Sequence, residues 1–317
     1  MPKSQPAVSV IIPTYNGGRY LCQTIESALA QTFQDIEILV IDDASDQDIA
    51  SLLRPYKERV QYVRKERSGP AASRNFGIKL ARGEYLAFLD HDDLWHPDKL
   101  QAQVRALDER PQCALAYCYP ILIDGEGKPI SNEKPSSFPS GDVTLDFLGA
   151  NRITTFSATL IRKSILEKTG FLDEAPEMTT ADDYDMWLRI SDVAEIVFVP
   201  GDLVSYRIHA GNLLKNYDQN LRAHIYVLDK FVKRSAKLER GLQEKANEIV
   251  LTNKFNKITH FAFVYYYRIG GERKARTLFG EAWRMKPFHL RHLIYWGICG
   301  MPVQVRAGLR MIKSLWK

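Results

Sequence analysis

From Val8 to about Tyr119 short apolar runs alternate with stretches whose apolar residues recur at helical spacing. Val8–Pro13 is a compact apolar run, followed by the turn residues Tyr15-Asn16-Gly17-Gly18. Tyr20, Leu21, Ile25, Ala28 and Leu29 then fall on one face of a helix. Ile36–Ile41 is a second strand, ending in Asp42-Asp43, and Val60–Val63 a short third. Gly69-Pro70 opens a helix to about Ala81, with proline in the first turn, where its missing N–H breaks no hydrogen bond. Glu84–Leu89 is a fourth strand, ending in Asp90-His91-Asp92-Asp93; Pro97 starts another helix and Ala114–Tyr119 is a further strand. This βαβα rhythm predicts an α/β fold with a parallel, doubly wound sheet, in which ligands bind outside the carboxyl ends of the strands.

Beyond residue 120 the pattern loosens. Asp124–Gly127 is a turn and Ser131–Gly141 a polar loop rich in Pro and Ser. Strand and helix signals resume from Thr155 to about Asp192, and Ile196–Val199 and Leu203–Tyr206 form two short strands. From about Leu213 the pattern is almost wholly helical, so a boundary near 215 divides a domain of residues 1–215 from a helical region, 216–317. No internal repeat or low-complexity tract interrupts either part.

Charge follows the same division. The net charge of +5 over 317 residues hides 20 Lys/Arg against 6 Asp/Glu in residues 221–317, and 23 against 32 in the rest. An acidic front and a basic tail predict different partners for the two parts. No run approaches the ~20 apolar residues of a membrane span, and the chain enters its first strand without an apolar leader. The expected location is therefore cytoplasmic. Cys22, Cys113, Cys118 and Cys299 follow no zinc spacing and are expected to be reduced structural thiols.

The acidic clusters are the candidate chemistry. Asp90, Asp92 and Asp93 at a strand end suit a hard divalent cation, and equally a helix N-cap run before Pro97. Asp42-Asp43-Ala44-Ser45-Asp46 can accept the N–H of a nucleobase or simply close a turn. Arg74 near a helix start can pair with phosphate or with a strand-end carboxylate, or lie in solvent. In Ala181–Arg189, Asp182 or Asp183 can serve as general base or as a capping pair. His209 can ligate a metal and Arg207 hold a phosphate, both equally open to a structural role.

In this order the segments Val8–Asn16, Leu39–Ser45, Gly69–Asn75, Phe88–Asp93, Ala181–Arg189 and Tyr206–His209 resemble family-2 glycosyltransferases of the GT-A fold, over roughly residues 7–212. The resemblance implies a doubly wound mixed sheet flanked by helices, and inverting, non-processive transfer of one sugar. The donor would be a nucleotide-diphosphate sugar, UDP-linked by family habit, and the acceptor a hydroxyl of a glycan or lipid-linked glycan in cell-surface polysaccharide or glycolipid assembly. It also implies Mn2+ or Mg2+ held by Asp90 and Asp92, with His209 reaching the metal or diphosphate. Asp42 and Asp43 would meet the nucleobase, and Pro13, Tyr15, Arg74, His91 and Arg207 belong to the implied nucleotide site. Asp183 takes the place of the catalytic base. The family usually has Glu-Asp there and this chain has Asp182-Asp183, which leaves either able to act.

A nucleotidyltransferase of similar fold would usually carry a Gly-rich basic loop after the first strand, where Thr14–Gly18 stands instead. A non-catalytic sugar-nucleotide-binding protein would not need the full set of acidic motifs. The Gln-x-x-Arg-Trp motif of processive synthases is absent from the sequence. In the tail, Val305, Leu309, Ile312 and Trp316 share one helical face beside Arg306, Arg310, Lys313 and Lys317. Such a helix suits the anionic inner face of a membrane or packing on the main domain. No nucleic-acid-binding module is recognisable.

Overall fold

The computed structural model describes residues 5–130, 134–135, 137–209, 217–235, 238, 242–269, 271–286 and 290–301. Its strands are β1 (Val8–Thr14), β2 (Ile36–Asp42), β3 (Gln61–Arg64), β4 (Tyr85–Phe88), β5 (Leu94–Trp95), β6 (Cys113–Tyr117), β7 (Ile121–Ile123), β8 (Pro129–Ile130), β9 (Thr159–Arg162), β10 (Glu195–Phe198) and β11 (Val204–Arg207). The α-helices are α1 (Leu21–Leu29), α2 (Ile49–Leu52), α3 (Pro70–Leu80), α4 (Lys99–Asp108), α5 (Thr144–Gly149), α6 (Leu166–Thr169), α7 (Asp182–Val193), α8 (Tyr217–Arg234), α9 (Gln243–Val264), α10 (Glu272–Met285) and α11 (Leu290–Cys299).

Seven strands form one sheet in the order β10-β6-β9-β4-β1-β2-β3. Side chains alternate between its faces, and both faces are buried. Ile11, Leu39, Ile41, Leu86 and Phe88 point to one side, under Ile78 of α3, Phe147 of α5 and Trp187 of α7. Val8, Val10, Ile12, Ile38, Val40 and Ala87 point to the other, under Leu21 and Ile25 of α1 and Leu100 and Leu107 of α4. The fold is thus a mixed α/β sheet flanked by helices.

Two features depart from a purely parallel reading. β9 lies antiparallel between β4 and β6; a four-residue strand with only Leu160 and Ile161 apolar carries no mark of its direction. A second sheet, β5-β11-β7-β8, contains two strands of only two residues each, too short for alternation to register.

The helical C-terminal region is present. α9, α10 and α11, with Leu221 of α8, build a second core around Phe255, Phe261, Leu278 and Phe279. Ala223, Val227, Leu228 and Phe231 of α8, with Ala246 and Val250 of α9, instead complete the sheet's first face. The amphipathic segment containing Val305, Leu309, Ile312 and Trp316 lies outside the described residues. No helix among the described residues is long and apolar enough to cross a membrane.

Candidate functional site

β1, β2 and β4 are parallel neighbours, so their carboxyl ends lie side by side. The turns that follow them, with the end of β11 and the start of α3, enclose a cavity of about 440 Å³. The β1 and β2 turns are stapled together. Asn16, at φ 52°, donates to Asp46 through Nδ2 (3.1 Å) and accepts the Asp46 N–H at 2.8 Å. Tyr15 donates to the same carboxylate at 3.2 Å, and the Arg67 guanidinium lies 3.6 Å above its ring.

The two aspartates ending β2 are used differently. Asp42 is fully buried and accepts from Ser45 N, the Tyr62 hydroxyl (2.8 Å) and Arg64 (3.2 Å), so it closes the turn and does not line the cavity. Asp43 lines the cavity; it accepts from Lys65 Nζ at 2.7 Å, Ser68 N at 2.9 Å and Gly69 N at 2.8 Å. Burial opposes its ionisation, but these donors together hold its carboxyl below the usual range.

The turn after β4 is fixed from several sides. Thr24 Oγ1 of α1 lies 2.9 Å from the carbonyl oxygens of both His91 and Asp93. Asp93 is buried against Arg207 N (3.0 Å), and burial with the charges of Asp92 and Asp90 pushes its carboxyl well above the usual range. His91 sits with Nδ1 3.3 Å from Pro13 O, on the cavity wall. Gly17 is required beneath it, because a Cβ there would come within 2.5 Å of the imidazole. Asp92 meets His209 Nε2 at 2.8 Å. Arg207 is buried and committed to protein: Nε donates to Asp92 O (2.8 Å), and its remaining nitrogens reach Asp124 O, Gly125 O and Gln23 Oε1. It braces the turn from behind rather than facing the cavity.

Arg74 joins this turn to α7. Its side chain is only 8% exposed, lies 4.0 Å above the Phe156 ring, and donates to Asp90 Oδ1 at 2.6 Å and to Asp182 Oδ2 at 3.4 Å. Thr180, a β-branched residue at φ 85°, delivers the chain into α7 in a conformation such residues rarely adopt. Burial raises both Asp182 and Asp183; Asp183, with the Asp182 charge beside it, is pushed up to about 7. A carboxyl near neutrality is suited to exchanging a proton at physiological pH.

Of the predicted set, Pro13, Tyr15, Asp43, Arg74, Asp90, His91, Asp92 and His209 line the cavity, whereas Asp42, Arg207, Asp182 and Asp183 do not. Lys65, Arg67, Ser73 and Tyr206 were not singled out from the sequence. Lys65 and Arg67 follow β3 directly, so the strand-end rule that marks Asp43 would have found them. No three Asp, Glu, His or Cys side chains among the described residues form a ready metal cage. The donor set still fits a hard cation completed by substrate oxygens and water: Asp92 uses one carboxylate oxygen on His209, and Asp90 stands on the same turn.

The architecture and this strand-end site define a GT-A-type α/β protein. Residues 9–170 match the profile of Glycosyl transferase family 2, and the chain belongs to that family. An uncharacterized glycosyltransferase of Rickettsia typhi is 32% identical over 237 residues, 74% of each chain. Staphylococcus aureus TarS 1–349 in complex with UDP-GlcNAc superposes with TM-score 0.67 at 17% identity, over 88% of this chain and 81% of that one. A Pyrobaculum calidifontis mannosyltransferase in complex with GDP-Man and Mn2+ superposes with TM-score 0.62 at 18% identity, over 99% and 88%.

Proposed function

We propose that this glycosyltransferase moves one sugar, with inversion, from a UDP-linked donor to an acceptor hydroxyl on a glycan or lipid-linked glycan, in cell-surface polysaccharide or glycolipid assembly. The observation that carries the reading is the strand-end cavity, in which Asp43 with its three donors stands on one side and the Asp90–Asp92 turn on the other. That arrangement matches a ligand with a polar base at one end and a diphosphate at the other. The UDP-GlcNAc and GDP-Man complexes of the structural neighbours support a nucleotide-sugar donor.

In this reading Asp43 accepts the base N–H, Tyr15 and Arg67 flank the nucleoside, and Pro13 and His91 shape the cavity between. Asp90 and Asp92, with His209, would hold a divalent cation that neutralises the diphosphate as it departs. Asp183 takes the proton of the acceptor hydroxyl while that oxygen bonds to the anomeric carbon. The bond from that carbon to the phosphate oxygen breaks, and the diphosphate leaves with the electron pair. One displacement on the face opposite the leaving group inverts the centre. Asp182 is held by Arg74, and its charge adds to burial, the larger cause, in raising the Asp183 carboxyl.

The test is a panel of UDP-, GDP- and dTDP-sugars scored for thermal stabilisation and for metal-dependent release of nucleotide. Stabilisation and turnover by one nucleotide class is the expected result. A chain that neither binds nor hydrolyses any of them does not transfer sugar.

A further inference from the structure

α11 is held to the C-terminal core along one side and is open along another. Tyr295 stacks on Phe279 with ring centroids 5.3 Å apart, its hydroxyl lies 2.8 Å from that of Tyr267, and Cys299 is buried. Ile294 and Gly297 lie on the outer side, and Met301 continues their row in the turn that follows, at i, i+3 and i+7. Ile294 is 51% and Met301 41% exposed, and a Cβ added to Gly297 would meet nothing within 4 Å. No charged or amide side chain interrupts Leu293–Val303. A helix that is apolar on its open side as well as its packed side has surface left to bury.

The adjoining surface of α10 is cationic. Arg273, Arg276, Gly280 and Arg284 recur at i, i+3, i+7 and i+11, so they share one stripe, and its arginines are exposed. Glu272 and Glu281, the acidic residues of α10, fall to either side of it. No carboxylate forms an ion pair with Arg273, Arg276 or Arg284 among the described residues. The seam between the helices is close: a Cβ on Gly280 would lie 3.2 Å from the Trp296 ring, and one on Gly300 3.1 Å from the Arg276 guanidinium. Trp296 therefore lies along the stripe, 38% exposed, with Arg276 4.5 Å above its ring.

An anionic bilayer offers an apolar interior beneath a layer of phosphates. An open apolar stripe edged by arginines without carboxylate partners is complementary to it, and tryptophan favours that boundary. With ten residues α11 is too short to span, so it would lie along the surface. A second copy of the same face is less suited, because it would bring a second set of arginines up to the first.

We infer that the α10–α11 face is a membrane-docking surface. Ile294, Gly297, Met301 and the edge of Trp296 enter the boundary between headgroups and acyl chains, and Arg273, Arg276 and Arg284 meet the phosphates. This surface precedes the basic terminal segment and does not depend on which sugar is moved.

The test is flotation of the full chain with phosphatidylcholine vesicles, with and without phosphatidylglycerol. Wild type is expected to float with the phosphatidylglycerol vesicles and to release as salt rises. Gly297→Glu removes no contact and sets a charge on the open stripe. It should weaken binding about tenfold or more, while Gly297→Ala keeps it, and neither should lower the unfolding midpoint. Arg273→Gln combined with Arg284→Gln should also weaken binding about tenfold or more, the effect of two surface charges. The blue shift of tryptophan emission on adding vesicles should shrink in Trp296→Phe. Wild type that floats with neither vesicle, wild-type binding in Gly297→Glu or in the double arginine variant, or an undiminished blue shift in Trp296→Phe overturns the assignment. A solution dimer that Gly297→Glu dissociates and vesicles do not compete for overturns it in favour of a second copy of the chain.

Discussion

Asp90 and Asp92 stand two residues apart on one turn, yet each has a different cation as its neighbour. Asp90 faces the permanently charged Arg74, and Asp92 faces the ionisable His209. Asp92 is therefore the carboxylate more readily given up to a metal. Asp92→Asn should leave the unfolding midpoint near wild type but abolish the rise in turnover on adding Mn2+ or Mg2+. Wild-type turnover at limiting metal would show that Asp92 is not a ligand. Asp183 makes a second prediction, with two readouts. With its carboxyl at about 7, turnover should climb as pH rises through that value, because the base must be ionised. Stability should move the opposite way. A carboxyl raised from 3.8 binds its proton more tightly in the folded state, so its contribution is complete below about pH 4 and lost as pH passes 7. Asp183→Asn should lower turnover by ~10²-fold or more and flatten both profiles. If Asp182→Asn shows the larger loss, the two exchange roles.

Among the elements, α3 carries the site's central cation, and its seat on the sheet depends on one glycine. A Cβ on Gly77 would come within 2.5 Å of Ile11 Cγ2, so α3 can lie this close to β1 only without one. Gly77→Ala should cost ~1–3 kcal/mol by overpacking and shift Arg74 relative to Asp90. Denaturant unfolding would measure the first and nucleotide-release rates the second; an unchanged unfolding midpoint would mean that Ile11 gives way freely. Local pattern was enough to read much of this level. The helix predicted from Gly69-Pro70 to about Ala81 is α3, and the acidic clusters lie at the ends of β2 and β4 because strand, turn and acid are contiguous in the chain. What could not be read depends on contacts between distant residues. Asp42 and Asp43 look alike in sequence; their roles part only through Tyr62 and Arg64 on one side and Lys65, Ser68 and Gly69 on the other. Arg207 is drawn away from the cavity by carbonyls some 80 and 115 residues earlier. The direction of β9 likewise belongs to its neighbours rather than to its own four residues.

For the molecule as a whole, the charge division between acidic front and basic tail gives a reason to test for contact with an anionic membrane face. Each Lys or Arg near such a surface contributes ~1 kcal/mol. Full-length protein should therefore sediment with anionic vesicles at low salt and release as salt screens the charges. Deleting residues 303–317 should weaken this binding while sparing donor hydrolysis. Equal partitioning of both forms would remove the terminal segment from the role, and indifference to anionic vesicles would remove the membrane. The shared core has a consequence of a different kind, for synthesis. The sheet's last strand ends at Phe198, but one of its faces is closed by Val227, Leu228, Phe231 and Val250. A ribosome adding ~5–20 residues per second reaches Val250 roughly 3–10 s after Phe198. During that interval every strand of the large sheet has been made while part of its apolar cover has not. The nascent chain must pass through a sticky, half-covered state that chaperones would be expected to engage.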